Sequence, residues 1–150
     1  MVEKVKNEFR KEFMKIHKLE CCFSLHKFIK LLNMYKFNFE KLEVWQKARL
    51  LTKEVYLHTR SFPDIEKYGI VNQIRRSAIS VCSNIAEGSS RLSGKDQRHL
   101  YNMAYSSFIE CFNQILISQD LEYIRINVYE EIMKEVNIIS FMLHKLREST

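Results

Sequence analysis

Glycine and proline are scarce in this sequence, three and one respectively in 150 residues. Both residues punctuate strands, turns and loops, so their scarcity argues against all-β and doubly wound folds and favours long helices joined by few short links. The four cysteines, Cys21, Cys22, Cys82 and Cys111, include no CxxC pair. An adjacent pair such as Cys21 and Cys22 is a poor start for a disulfide framework, and a reducing, cytoplasmic setting is expected. No stretch approaches the roughly 18 apolar residues needed to cross a bilayer, and charges recur every few residues where a secretion signal would need an apolar run. Neither GxGxxG, GxxxxGK[ST] nor GxSxG occurs, so nucleotide binding on a glycine-rich loop and serine hydrolysis have no support. The five histidines, His17, His26, His58, His99 and His144, are scattered without zinc-ligand spacing. No cofactor or metal is implied, and no membrane contact.

What is present is charge and helical periodicity. The net charge is +6, yet residues 1–38 hold nine Lys and Arg against four Glu, whereas residues 39–150 hold fifteen basic against fourteen acidic side chains. The excess therefore sits in the N-terminal segment, above a nearly neutral body with one local basic patch: Arg75, Arg76, Arg91, Lys95 and Arg98 against Glu87 and Asp96. In the first segment Val2, Val5, Phe9, Phe13, Ile16, Leu19 and Phe23 alternate in steps of three and four, the mark of an amphipathic helix. A second reading makes this stretch an extension upstream of a translation start at Met34. At this length one domain can bury roughly 70% of the surface its unfolded chain exposes, so a core needs no staples.

From Phe39 a first helix is expected to about His58, with Leu42, Trp45, Ala48, Leu51 and Val55 on one face. Pro63, followed by Asp64 and Glu66, suits the first turn of a second helix ending at Gly88. Its apolar line Ile74, Ala78, Val81 and Ile85 is widened by Val71, Cys82, Ala86 and Ile79 to about 140° at 100° per residue. So wide a face suggests burial in the bundle on one side and against another subunit on the other. Residues 88–94 read as a loop with Ser93 as N-cap. A third helix from about Lys95 to Leu121 turns Leu100, Met103, Ala104, Ser107, Cys111, Gln114 and Ile115 inward. Asn127 is the expected N-cap of a fourth, with Val128, Ile132, Val136, Ile139, Leu143 and Leu146 on one stripe. Four helices with short links predict an all-α, antiparallel up-and-down four-helix bundle over residues 39–150, with residues 1–38 as a basic extension.

Two constellations are candidates for function. Beside the apolar arc of the second helix runs a polar line, Gln73, Arg76, Ser80, Asn84 and Glu87, matched on the third helix by Ser107 and Glu110. Unpaired polar groups at a packed seam cost on the order of 1–3 kcal/mol each, so these are expected to form a structural hydrogen-bond network. The sharper reading, Glu87 and Glu110 as a carboxylate pair for a metal, lacks the Glu-x-x-His spacing of di-iron bundles. The second constellation is Arg75, Arg91, Lys95 and Arg98, which reads either as a plain solvated surface or as phosphate contacts aided by backbone donors at the start of the third helix.

Residues 73–88, reading QIRRSAISVCSNIAEG, resemble the signature of the bacterial four helix bundle protein family, also called the 23S rRNA intervening-sequence protein family. Residues 39–48, FEKLEVWQKA, are similar to its opening helix, Phe62-Pro63 with Glu66 and Gly69 to the start of its second, and residues 104–110, AYSSFIE, to a motif of its third. The family motif positions are Gln73, Arg75, Arg76, Ser80, Asn84, Glu87, Gly88, Ser107 and Glu110. The resemblance implies a ribosome-associated or nucleic-acid-associated protein without known enzymatic activity. Through related accessory proteins of diversity-generating retroelements it also implies a homopentamer. The expectation is a non-enzymatic oligomeric scaffold contacting rRNA or other nucleic acid; the alternative is a protein–protein adaptor without nucleic acid.

Overall fold

The computed structural model describes residues 36–150. The amphipathic stripe of residues 2–23 and Met34 lie outside the described residues. From Phe37 onward the chain is one compact unit, in which four long helices follow one another: α1 (Glu43–His58), α2 (Ile70–Ser90), α3 (Gly94–Asp120) and α4 (Ile126–Glu148). Each packs on its neighbour in sequence, and α1 also packs on α4, closing an all-helical bundle. Its centre is filled from all four by Ala48, Leu51 and Val55, by Ile74, Val81 and Ile85, by Ala104, Phe108, Cys111 and Ile115, and by Ile132, Val136, Ile139 and Leu143.

The first helix begins later than its periodicity suggests. A short 3-10 turn, Asn38–Lys41, precedes it, and Leu42 is extended at φ −76° and ψ 118°. The break lets Phe39 set its ring edge on Trp45, with centroids 4.8 Å apart, and puts the Glu40 carbonyl where Gln46 Nε2 donates to it at 2.8 Å.

Pro63 does not open α2. It precedes a separate 3-10 turn, Asp64–Lys67, and the helix starts at Ile70. The reason is tertiary. Phe62 is extended and buried, with its ring 5.3 Å from that of Tyr123 beyond the end of α3. The carboxylate of Glu66 then turns back to accept the Ile70 N–H at 3.2 Å, capping a helix whose N-cap, Gly69, has no side chain to do so. A Cβ on Gly69 would lie 2.6 Å from that carboxylate.

Nor does Gly88 end α2, which continues to Ser90. Gly88 is buried against Tyr101 of α3, and a Cβ there would come within 2.5 Å of the ring. With Ser77, Ser80, Ala104 and Ser107 it keeps the α2–α3 contact, the most extensive in the bundle, lined by small side chains. Ser93 occupies the N-cap position of α3, but its hydroxyl makes no capping bond. On α3 the buried stripe is Tyr101, Ala104, Phe108, Cys111, Gln114, Ile115 and Ser118; Ala104, Cys111, Gln114 and Ile115 are buried as expected, whereas Met103 is 47% exposed and Tyr101 and Phe108 fill the core instead. Asn127 lies in the first turn of α4, whose N-cap is Arg125. The link before it is closed by Glu122 in the left-handed region at φ 59°, so that Tyr123 N–H reaches back to the Ser118 carbonyl at 2.9 Å and Ile124 is buried beneath.

The broad apolar arc of α2 is mostly used inside the subunit. Val71 is buried and Cys82 and Ala86 are half-buried, because α1 covers one flank of the arc and α3 the other. Ile79 alone among these is open, at 45% exposure. The breadth of the arc therefore does not require another subunit.

Candidate nucleic-acid interface

At one end of the bundle the close of α2, the start of α3 and the close of α4 come together. Three residues, 91–93, link α2 to α3, and the link is tied down by Gln97 Nε2 donating to the Arg91 carbonyl at 2.8 Å. Leu92 at its tip is fully exposed. The C-terminal turn of α4 lies alongside: Arg98 Nε donates to the Arg147 carbonyl at 3.3 Å, and an added Cβ on Gly94 would sit 3.9 Å from Thr150.

Four cations gather here, with a fifth, Lys145, on the last turn of α4. Arg91, Lys95 and Arg98 are exposed, as the sequence suggests. Arg147, and Lys145 on the same turn, come from α4, where single-chain spacing gave no reason to group them with a loop some fifty residues earlier. Arg147 stacks its guanidinium over Tyr105 at 3.8 Å, which fixes it on α3 while leaving its Nε buried without a hydrogen-bond partner. Three anions share the end. Glu87 pairs with Arg91 one turn along α2. Glu148 accepts from Lys145 at 3.2 Å; that bond, with the charge of His144, holds its carboxyl below the usual range. Asp96 lies in the first turn of α3, where the positive end of the helix favours it. Since no side chain caps α3, its first backbone N–H groups add donors to this surface.

Arg75 does not belong to this cluster. At 1.5 Å per residue it sits about 24 Å along α2 from Arg91, half-buried against α1. There its Nε donates to Thr59 Oγ1 at 2.8 Å and its guanidinium covers the Tyr56 ring at 4.8 Å. It is a clamp between helices and is turned away from the basic end.

The polar line of α2 divides into three parts. At its centre three of these residues join: Ser80 and Ser107 hydroxyls meet at 3.0 Å, and Asn84 Nδ2 donates to the Ser80 carbonyl and hydroxyl at 2.9 and 3.2 Å. Glu87 leaves the line to pair with Arg91. Gln73, Arg76 and Glu110 open onto a groove of about 300 Å³ between α2 and α3, with Ser77 in its lining. The buried polar pair at its floor, Ser77 Oγ donating to Gln114 Oε1 at 2.8 Å, was half visible in sequence. An inward Gln114 demands a partner, but Ser77 passes for a small core residue between Ile74 and Ala78.

Glu87 and Glu110 do not converge, and no cluster of three His, Cys, Asp or Glu suited to a metal occurs among the described residues. The Cys111 thiol donates weakly to the Ile74 carbonyl at 4.0 Å, and burial pushes its pKa up to about 12. Burial raises Cys82 as well. Neither thiol is set up as a nucleophile. No helix among the described residues is long and apolar enough to cross a membrane.

These features define a class: a small four-helix bundle with a solvent-open basic end and a close-packed second and third helix. The chain belongs to the 23S rRNA-intervening sequence protein family, whose sequence profile matches residues 40–145. Its fold is shared with a solved structure from Bacteroides thetaiotaomicron VPI-5482, described as a protein with unknown function from the S23 ribosomal protein family. The two are 24% identical, with a TM-score of 0.63 over 69% of this chain and 97% of that one. No curated protein matches this chain significantly.

Proposed function

We propose that this protein is a non-enzymatic, homo-oligomeric scaffold that binds structured RNA through the end of the bundle formed by α2, α3 and α4. The observation that carries this reading is the convergence of Arg91 from the α2–α3 link, Lys95 and Arg98 from α3 and Arg147 from α4 around the uncapped start of α3, with Lys145 on the last turn of α4. Phosphates neutralised by such a surface release condensed counterions, so affinity falls steeply with salt. Lys and Arg side chains at such a surface pair with phosphates, so contact is expected with the backbone and shape of a folded RNA. Repetition of the patch around a symmetry axis would add the fields of the copies.

Filter binding of the full chain to a structured 23S-type rRNA fragment over a salt series tests the reading. The expected result is retention at low salt and a log–log slope of about −2 to −4, corresponding to roughly three to five phosphate contacts. Absence of retention at low salt overturns it. A protein partner captured equally well after nuclease treatment would favour the adaptor instead.

A further inference from the structure

Leu92 is an apolar side chain set among cations. It is fully exposed on the link between α2 and α3, with Arg91 just before it and Lys95 and Arg98 after it on the first turns of α3. An apolar residue immediately before a helix N-cap ordinarily packs on the fourth residue of that helix. Here the N-cap is Ser93 and the fourth residue is Gln97, whose amide is used on the Arg91 carbonyl at 2.8 Å. The start of α3 therefore gives Leu92 nothing apolar to pack on. The link itself is held: the Arg91 N–H donates to the Gly88 carbonyl at 3.1 Å and its guanidinium pairs with Glu87. Leu92 is thus presented outward from a tied backbone, so burying it against a ligand requires little reordering of the chain.

The ligand that suits this arrangement is narrower than RNA in general. Phosphates drawn to Arg91, Lys95 and Arg98 bring the adjoining nucleotides to Leu92. A continuous A-form helix offers it only hydrated groups, phosphates, 2′-hydroxyls and base edges, because the base faces are covered by stacking. A leucine pressed against such a surface gains little. Where a base is unpaired a face is open, and an apolar side chain can lie on it or enter between neighbours, as wedge residues do in kinked nucleic acid. We propose that Leu92 is such a wedge, and that the protein takes RNA at an interruption of the helix, with Arg91, Lys95 and Arg98 on the flanking phosphates.

The wedge rests on the RNA reading of this end and names the kind of RNA. It is tested by fluorescence anisotropy of the full chain at low salt with two end-labelled RNA duplexes of equal length and charge, one paired throughout and one with three central mismatches; 2-aminopurine at the centre reports the contact. The wild type is expected to bind the mismatched duplex about three- to ten-fold more tightly, as partial burial of one leucine allows, and to change the 2-aminopurine signal. Leu92→Ser, at an exposed position and checked for fold by circular dichroism, is expected to bind both duplexes with the wild-type affinity for the paired one, to keep the wild-type salt slope and to leave 2-aminopurine unchanged. Leu92→Met, apolar and of similar volume, retains the preference. Equal binding of the two duplexes by the wild type, or a preference that survives in Leu92→Ser, overturns the wedge while the phosphate reading stands. Failure of the wild type to bind either duplex at low salt overturns both.

Discussion

The two ends of the bundle are finished in opposite ways. At the end where α1 meets α2 and α3 meets α4, the connections fold inward: Phe62, Ile124 and Thr59 are buried, Tyr123 leans on Phe62, and Arg75 ties α2 to Thr59. At the other end the α2–α3 link turns outward, with Leu92 in solvent and cations around it. Buried apolar side chains in a connection stabilise the fold, while exposed charge on one contributes little to stability and is left available for ligands. Under the proposed function the first end serves structure and the second recognition.

The strongest way to break the contrast is at Phe62. Phe62→Ala is expected to cost about 3–5 kcal/mol in urea unfolding, with RNA affinity unchanged under conditions where the protein stays folded. Loss of affinity in the folded variant would show that the closed end takes part in binding. At the open end, changing Arg91, Lys95 and Arg98 together to Ala is expected to lower RNA affinity at low salt by roughly 10- to 100-fold and to flatten the salt slope by about 2–3. Its unfolding midpoint should stay near wild type, as is usual for surface substitutions. A smaller effect belongs to Arg75→Ala, which removes the Thr59 hydrogen bond and the contact with Tyr56. It should lose about 1–2 kcal/mol of stability and leave binding and its salt slope untouched, the reverse of the triple variant. Smallest is Glu122→Gly. Relief of the left-handed strain, less the extra freedom of glycine in the unfolded chain, is expected to raise stability by about 0.5–1 kcal/mol; a fall would mean that the Glu122 side chain matters at this turn.

The helices most legible in sequence are those whose burial follows one simple stripe. On α4, Ile132, Val136, Ile139 and Leu143 are buried as their spacing predicts. On α3 the stripe reads less truly, because Met103 and Ser107 draw the eye toward the polar seam while Tyr101 and Phe108 fill the core. The start of α2 was not legible, since the capping carboxylate of Glu66 acts through Gly69 and Phe62 is held by a ring sixty residues away. In the candidate interface Arg91, Lys95 and Arg98 could be grouped because they are close in sequence. Lys145 and Arg147 could not, because only the antiparallel return of α4 brings them there. Arg75 was misplaced for the complementary reason: the next residue, Arg76, points to solvent, and one step of about 100° around the helix turns Arg75 toward α1.

The fit of Gly88 against Tyr101 also bears on the order in which the molecule assembles. Two helices joined by three residues can find each other after a short chain closure, and contacts near in sequence form earliest. The α2–α3 hairpin is therefore the expected nucleus, with α1 and α4 condensing on it afterwards. In stopped-flow refolding, Ala104→Gly should slow the folding limb, whereas Val136→Ala on α4 should chiefly hasten unfolding.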